Sequence, residues 1–391
     1  MSAGTVRRPA GTVPTRLTLM AAVAALATGA LVAPAVAAPA PTTGHAATQR
    51  ALERAVAEGV PGAIARAQDR DGVWTATVGV GDRATGAPRT KDDRFRVASI
   101  TKPFVATVLL QLEAERRLDL DDTVETWLPG VVRGNGHDGR QITLRQLLNH
   151  TSGVFDYLFD PELIKLRFSS EAFFAHRYDT WESRDAVAVA MKHPPYFAPG
   201  ASWRYSNTNY LLAGLVIEKA TGRSYASEIE RRILRPLKLR ATSVPRTSVT
   251  VPGPSGRAYS RLSPDPAATT VHDVTEFNPS LAGASGEMIS DTKDLHTFLT
   301  ALLRGKLLPR EQLNAMTTTV PVPGDPRRGY GLGLQVRELS CGTKVWGHSG
   351  EILGSLSGAV STRDGSHTLS LNYNAEWGRT AGLVVEAEFC G

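Results

Sequence analysis

The amino-acid sequence predicts an α/β fold of the α+β type: strands from both ends of the chain share one antiparallel sheet, helices flank it, and the middle forms a helical lobe. Three observations carry this. Residues 61–82, PGAIARAQDRDGVWTATVGVGD, alternate around an Asp-Gly turn and read as a hairpin. From residue 329 onward, YGLGLQVREL, TKVWGHSG, SLSGAVSTRDG and SHTLSLNYN read as successive strands separated by turn residues. Residues 119–245 are instead rich in helical patterning. Neither set of strands is large enough to stand alone, so the two are expected to pair.

The remaining elements follow in order. Residues 45–59, HAATQRALERAVAEG, space their apolar side chains helically and stop at glycine. ITKPFVATVLLQLEAERRL, 100–118, is apolar on nearly every side in its first half and predicts a buried helix. TNYLLAGLVIEKATG, 208–222, reads as a helix capped by Gly222. Residues 246–282, rich in Pro, Ser and Thr, read as extended loops. SDTKDLHTFLTALLRG, 290–305, is a helix with Ser290 as its expected N-cap, and GRTAGLVVEAEFC closes the chain as a helix. The expected sheet lobe is therefore 45–118 with 283–391, and the helical lobe about 119–282. A site belongs between the two.

The first 37 residues carry Arg7, Arg8 and Arg16, no acid, an apolar run broken by Gly29 and Pro34, and the small-residue stretch Ala35-Val36-Ala37. That pattern predicts a cleavable signal peptide, with 38–44 as a linker and a secreted product without a membrane anchor. Arg7-Arg8 hints weakly at twin-arginine export, since Pro9 and Ala10 follow instead of an apolar pair. The formal charge of +6 loses half its excess with the leader, and no basic block is evident elsewhere. Nucleic acid is not an expected partner. No CxxC or HExxH motif occurs, so the cysteines are not read as a metal pair. Cys341 and Cys390 are the two cysteines, and in an exported chain an even count favours one disulfide over two free thiols.

Three short motifs carry chemistry. Ser99-Ile-Thr-Lys102 puts a hydroxyl and an amine on one helical face, where a lysine of lowered pKa can accept the serine proton. The spacing alone is weak: it recurs at Ser290–Lys293, and Ser99 also suits an N-cap. Tyr205-Ser206-Asn207 lies on a loop before a helix, where the phenol can move protons and the amide can hold a carbonyl. The bland alternative is an aromatic plug with a capping Asn. His348-Ser349-Gly350 lies on a strand whose edge a substrate can pair with, and the alternative is a surface histidine in a turn. No GxSxG elbow exists, since GHSG is followed by Glu351. His150 and Asp156 are the best leftovers for a conventional triad, but neither has a partner serine on an elbow, so HTSG (150–153) reads as a structural loop.

SITK, YSN and HSG in this order resemble the serine penicillin-recognising enzymes: DD-peptidases, class C β-lactamases and their esterase relatives. The resemblance spans essentially the whole chain after the leader, including LLNHTSGVFDY, PGASWRYSNTNYLLAGLVIEKATG, YGLGL and the terminal EFCG. It implies the β-lactamase/DD-peptidase-like fold and a D-alanyl-D-alanine carboxypeptidase acting as a monomer on cell-wall peptides, with no metal or organic cofactor. A β-lactamase, an esterase or a D-amino-acid amidase is the alternative, with a non-catalytic penicillin-binding module behind them. Ser99 is implied as nucleophile, Lys102 as its base, Tyr205 as proton shuttle and Asn207 as holder of the substrate amide. His348 stands where many relatives have lysine, and the main-chain N–H groups of Ser99 and Glu351 are implied as the oxyanion hole, with Ser349 and Gly350 along the substrate. It also makes the Cys341–Cys390 disulfide expected. Two departures stand out. Glu351 replaces a hydroxyl residue that would meet a substrate carboxylate, and Gln335 occupies the place of an arginine, for which Arg337, two residues on, is the expected substitute.

Overall fold

A computed structural model describes Met1 and residues 44–265, 267–378 and 381–391. The leader beyond Met1 and all but the last residue of the linker lie outside the described residues. Eight strands form one antiparallel sheet: β1 (Gly62–Asp69), β2 (Gly72–Gly79), β3 (Val320–Val322), β4 (Asp325–Tyr330), β5 (Gln335–Glu338), β6 (Lys344–Ile352), β7 (Ser355–Ser361) and β8 (Thr368–Tyr373). Their order is β2-β1-β8-β7-β6-β5-β4-β3, so the first hairpin joins the late strands through β1 and β8, with Ala65 opposite Leu371. The short edge strand β3 was not expected from the sequence; a proline at its centre obscures the alternation.

Two layers of helices cover the sheet. On one face α1 (Ala46–Ala57) and the terminal α5 (Ala381–Cys390) pack over Leu52, Ala55, Leu369, Leu371 and Val384. On the other, α2 (Thr101–Ala114), α3 (Thr208–Thr221) and α4 (Thr292–Leu303) enclose the larger core around Phe104, Leu109, Leu212 and Phe298. Every residue of α2 from Thr101 to Leu110 is buried, as its continuous apolar pattern predicts. Gly222 ends α3 in the left-handed conformation (φ 71°). At α4 the cap is Asp291, whose carboxylate accepts from the Asp294 N–H, while Ser290 is buried against Thr242. The expected N-cap moves by one residue because Ser290 is paired in a short strand with Phe95.

The disulfide joins Cys341, in the β5–β6 turn, to Cys390 at the end of α5. It closes a loop with a sequence separation of 49. Among the described residues no helix is long and apolar enough to cross a membrane.

Candidate active site

Ser99 sits in a single 3-10 turn, Ala98–Ile100, directly before α2. The residue before it, Ala98, holds a left-handed backbone (φ 50°), a strained conformation of the kind that clusters at functional sites. Two serines of β7 hold this segment against the sheet: Ser355 donates to Arg96 O at 2.7 Å and Ser357 to Val97 O at 2.9 Å. The N-cap of α2 is Ile100, without a side-chain cap, so the capping alternative for Ser99 falls away.

One turn on, Lys102 is fully buried and its amine reaches three oxygens: Ser99 Oγ at 3.1 Å, Asn207 Oδ1 at 2.8 Å and Ser285 O at 2.7 Å. Burial lowers its pKa to about 7, and the charge of Asp156 partly opposes that shift. Asn207 completes the link, donating through Nδ2 to Asp156 Oδ2 at 2.9 Å. Asp156 is 1% exposed, and burial pushes its carboxyl above the usual range. The Tyr205 ring lies beside the amine, 4.8 Å from Nζ to centroid. Burial raises the phenol, a shift that neighbouring Ser99 moderates, and the hydroxyl itself makes no good hydrogen bond.

His348 is 3% exposed, not the surface turn residue of the bland alternative. Its Nε2 faces the Tyr330 hydroxyl at 2.9 Å and Gln335 Nε2 at 3.4 Å, while Nδ1 meets the Ser349 carbonyl. That arrangement assigns the proton to Nδ1 and makes Nε2 the acceptor. Burial, with Lys102 nearby, lowers the imidazole to about 3, so it is neutral at ordinary pH.

Strand β6 presents an open edge here. Its pairing with β5 runs only from Lys344 to Gly347, whereas β7 pairs on to Ile352. Ser349 and Glu351 are exposed beside that edge. Gly350 is needed for a close approach: a Cβ there would lie 2.0 Å from Val97 O, so any side chain would push β6 off the Ser99 turn. The resulting cleft has a volume of about 490 Å³ and brings together Ser99, Asp156, Tyr205, Asn207, Gln335, His348, Ser349, Gly350 and Glu351. Its lining also includes the apolar Leu158, Phe159, Phe173, Trp181, Phe277 and Leu353, interspersed with Arg167, Arg177 and Asp179.

Arg337 is the exception among the expected residues. It shares the face of Gln335 but reaches Glu386 on α5 at 3.2 Å and does not line the cleft. Two residues along a strand keep the face and move the side chain about 7 Å, here onto the helix that covers that face. Asp156 is the residue whose role was missed. It was set aside for want of a partner serine, yet it belongs to Lys102 through Asn207. His150 is buried as the loop reading requires, accepting at Nδ1 from Ser206 N and Asn209 Nδ2.

The β-lactamase family model matches residues 48–373. The chain belongs to the β-lactamase family. It is a serine hydrolase of the superfamily that includes the penicillin-binding proteins. Among curated relatives it is 28% identical to penicillin-binding protein 4* of Bacillus subtilis (strain 168) over 303 residues, 74% of this chain and 62% of that protein. It is 36% identical to esterase EstB of Burkholderia gladioli over 166 residues, 41% of either chain. The serine hydrolase thus spans less than two thirds of both relatives. Its fold matches a D-stereospecific amidohydrolase from Streptomyces sp. at 60% identity and a TM-score of 0.85, covering 89% of this chain and 99% of that one. It also matches the D-amino acid amidase from Ochrobactrum anthropi SV3 at 29% identity and a TM-score of 0.75, covering 88% and 97%.

Proposed function

We propose that this hydrolase is a D-stereospecific amidohydrolase that forms an acyl-enzyme at Ser99 on amides, esters or short peptides of D-amino acids with bulky apolar side chains. The observation that carries the reading is the charge of the cleft beside β6: Glu351 is there, Gln335 stands in the expected arginine position, and Arg337 is engaged by Glu386. A substrate carboxylate at that edge meets Glu351 and neither an arginine at 335 nor a free Arg337, although Arg167 and Arg177 line the cleft elsewhere, whereas a free α-ammonium group gains from Glu351. The 60% identity to the Streptomyces amidohydrolase and the aromatic residues of the lining support the same reading.

In this mechanism the Ser99 hydroxyl adds to the substrate carbonyl and its proton passes to the neutral Lys102 amine. Lysine is the base and not tyrosine, because burial brings the amine to about 7 while it drives the phenol upward. The N–H groups of Ser99 and Glu351 receive the developing oxyanion. As the carbon–nitrogen bond breaks, the leaving amine takes a proton from Tyr205, which is replenished from Lys102. Water then attacks the Ser99 ester by the same route in reverse, releasing the acid and regenerating the hydroxyl. Neutral His348 accepts from Tyr330 and fixes the β6 edge without adding charge. We further place the enzyme outside the cell, supported by its disulfide and by the leader pattern of residues 1–37.

Comparing D-phenylalanine amide with an N-acyl-D-alanyl-D-alanine peptide tests the reading. The amide is expected to turn over at least ten-fold faster in kcat/KM. Glu351→Thr should narrow that gap by about two- to five-fold, the size of an exposed charge contact. Preference for the peptide in the wild type would instead support the D-alanyl-D-alanine carboxypeptidase that the motifs also allow. Benzylpenicillin should leave a covalent adduct on Ser99 by intact mass, and Ser99→Ala none.

A further inference from the structure

A second cavity, of about 650 Å³, lies within the segment 224–246 and shares no lining residue with the cleft. Its charged lining is Arg235, Lys238, Arg240 and Arg246 against one acid, Glu230. Arg235 already pairs with Glu230 at 2.8 Å, which leaves Lys238 and Arg240 without an ion-pair partner among the described residues and Arg246 only partly compensated. The side chains of Lys238 and Arg240 make no hydrogen bond or ion pair among the described residues, and Arg246 makes no ion pair within 4 Å; Glu218 and Glu287 act on it only from farther off. By contrast, Arg231 and Arg232 of the same segment, RRILRPLKLR, a basic run that corrects the expectation of no basic block beyond the leader, are held by Glu228, and Arg232 also by Glu115. The run therefore divides into a half that is neutralised in the fold and a half that is not.

The backbone is unusual at the same place. Lys238 and Arg246 both adopt left-handed conformations (φ 57° and 56°), which non-glycine residues seldom do. The helix leading in makes a π turn over Glu230–Leu234, a distortion frequent at functional sites. Together these place three exposed cations around one hollow, where their fields add and favour an anion.

We propose that this hollow is a binding site for a small ligand carrying clustered phosphate-type charges, such as a diphosphate group. Arginine forks suit phosphate oxygens, and three cations match an anion of two or three charges better than a single carboxylate. The site is independent of the hydrolytic reading, since none of these side chains enters the cleft.

Titration calorimetry of the full chain with sodium pyrophosphate, at about 0.1 M ionic strength where long-range attraction is screened, tests it. The expected result is a Kd below about 1 mM, with inorganic phosphate at least ten-fold weaker. The double variant Lys238→Ala/Arg240→Ala should weaken pyrophosphate at least ten-fold while D-phenylalanine amide turnover and melting temperature stay at wild-type values. A pyrophosphate Kd above about 1 mM, or equal binding by the double variant, overturns the proposal. Equal affinity for phosphate and pyrophosphate would also overturn it, because clustered charge would then confer nothing.

Discussion

The Lys102 amine lies 3.1 Å from the Ser99 hydroxyl, within a pocket that leaves it no exposed surface. With its pKa lowered to about 7, the amine is largely neutral just above that pH and available to accept a proton. The rate of Ser99 acylation is therefore expected to rise with pH through an inflection near 7. His348, at about 3, and Tyr205, raised, contribute no inflection between pH 5 and 9. Stopped-flow acylation across that range checks the assignment; an inflection below pH 6 would point to another base.

The same burial links activity to stability. Lys102 is held below its unfolded value of 10.5, so between about pH 7 and 10.5 the unfolded chain binds the extra proton. Stability from this group thus rises with pH over that window. Lys102→Met should abolish turnover, raise the melting temperature at pH 7 by a few degrees and flatten the pH dependence of stability. Calorimetric scans at pH 7 and 9 read both changes.

Asp156 raises the amine pKa that burial lowers. Asp156→Asn removes that charge, so the acylation inflection is expected to move to lower pH. The Asn207 amide also loses its charged acceptor, and a roughly ten-fold fall in kcat should accompany the shift. A change in KM alone would mean that Asp156 contacts substrate instead of positioning Lys102.

Gly350→Ala places a methyl group against Val97 O, just before the Ser99 turn. Separating β6 from that turn by even 1 Å should cost about 100-fold in kcat/KM. Circular dichroism should retain the native sheet signal, which separates misplacement of the site from loss of the fold.

The Cys341–Cys390 bond ties the β5–β6 turn to α5, on the sheet face opposite α2. Replacing both cysteines by alanine should destabilise the chain by about 2–4 kcal/mol in urea titrations. The D-phenylalanine amide rate at 25 °C should stay within two-fold, because neither cysteine lines the cleft.

Legibility in the sequence followed the range of the interaction. SITK could be read because helical spacing places Lys102 over Ser99 whatever surrounds them. The strands after residue 329 could be read because turn residues punctuate their alternation. Ser290 was misread as a cap because its competing partners, Phe95 and Thr242, are far away in the chain. Arg337 was misread for a related reason. Alternation gives the face of the sheet, but Glu386 on a helix nearly fifty residues later decides where the guanidinium goes. Asp156 carried no local signal at all, since its contact with Asn207 spans 51 residues.

The sequence by itself thus determined the fold class, the approach of Lys102 to Ser99 and the strand that walls the cleft, because each rests on a short repeat period or a fixed spacing. Only the tertiary structure decided the pKa shifts and the charge beside the β6 edge. Desolvation brings Lys102 to about 7 and keeps His348 neutral, and both follow from packing over distances no spacing encodes. Packing also leaves Glu351 beside the open end of β6 and turns Arg337 away to Glu386.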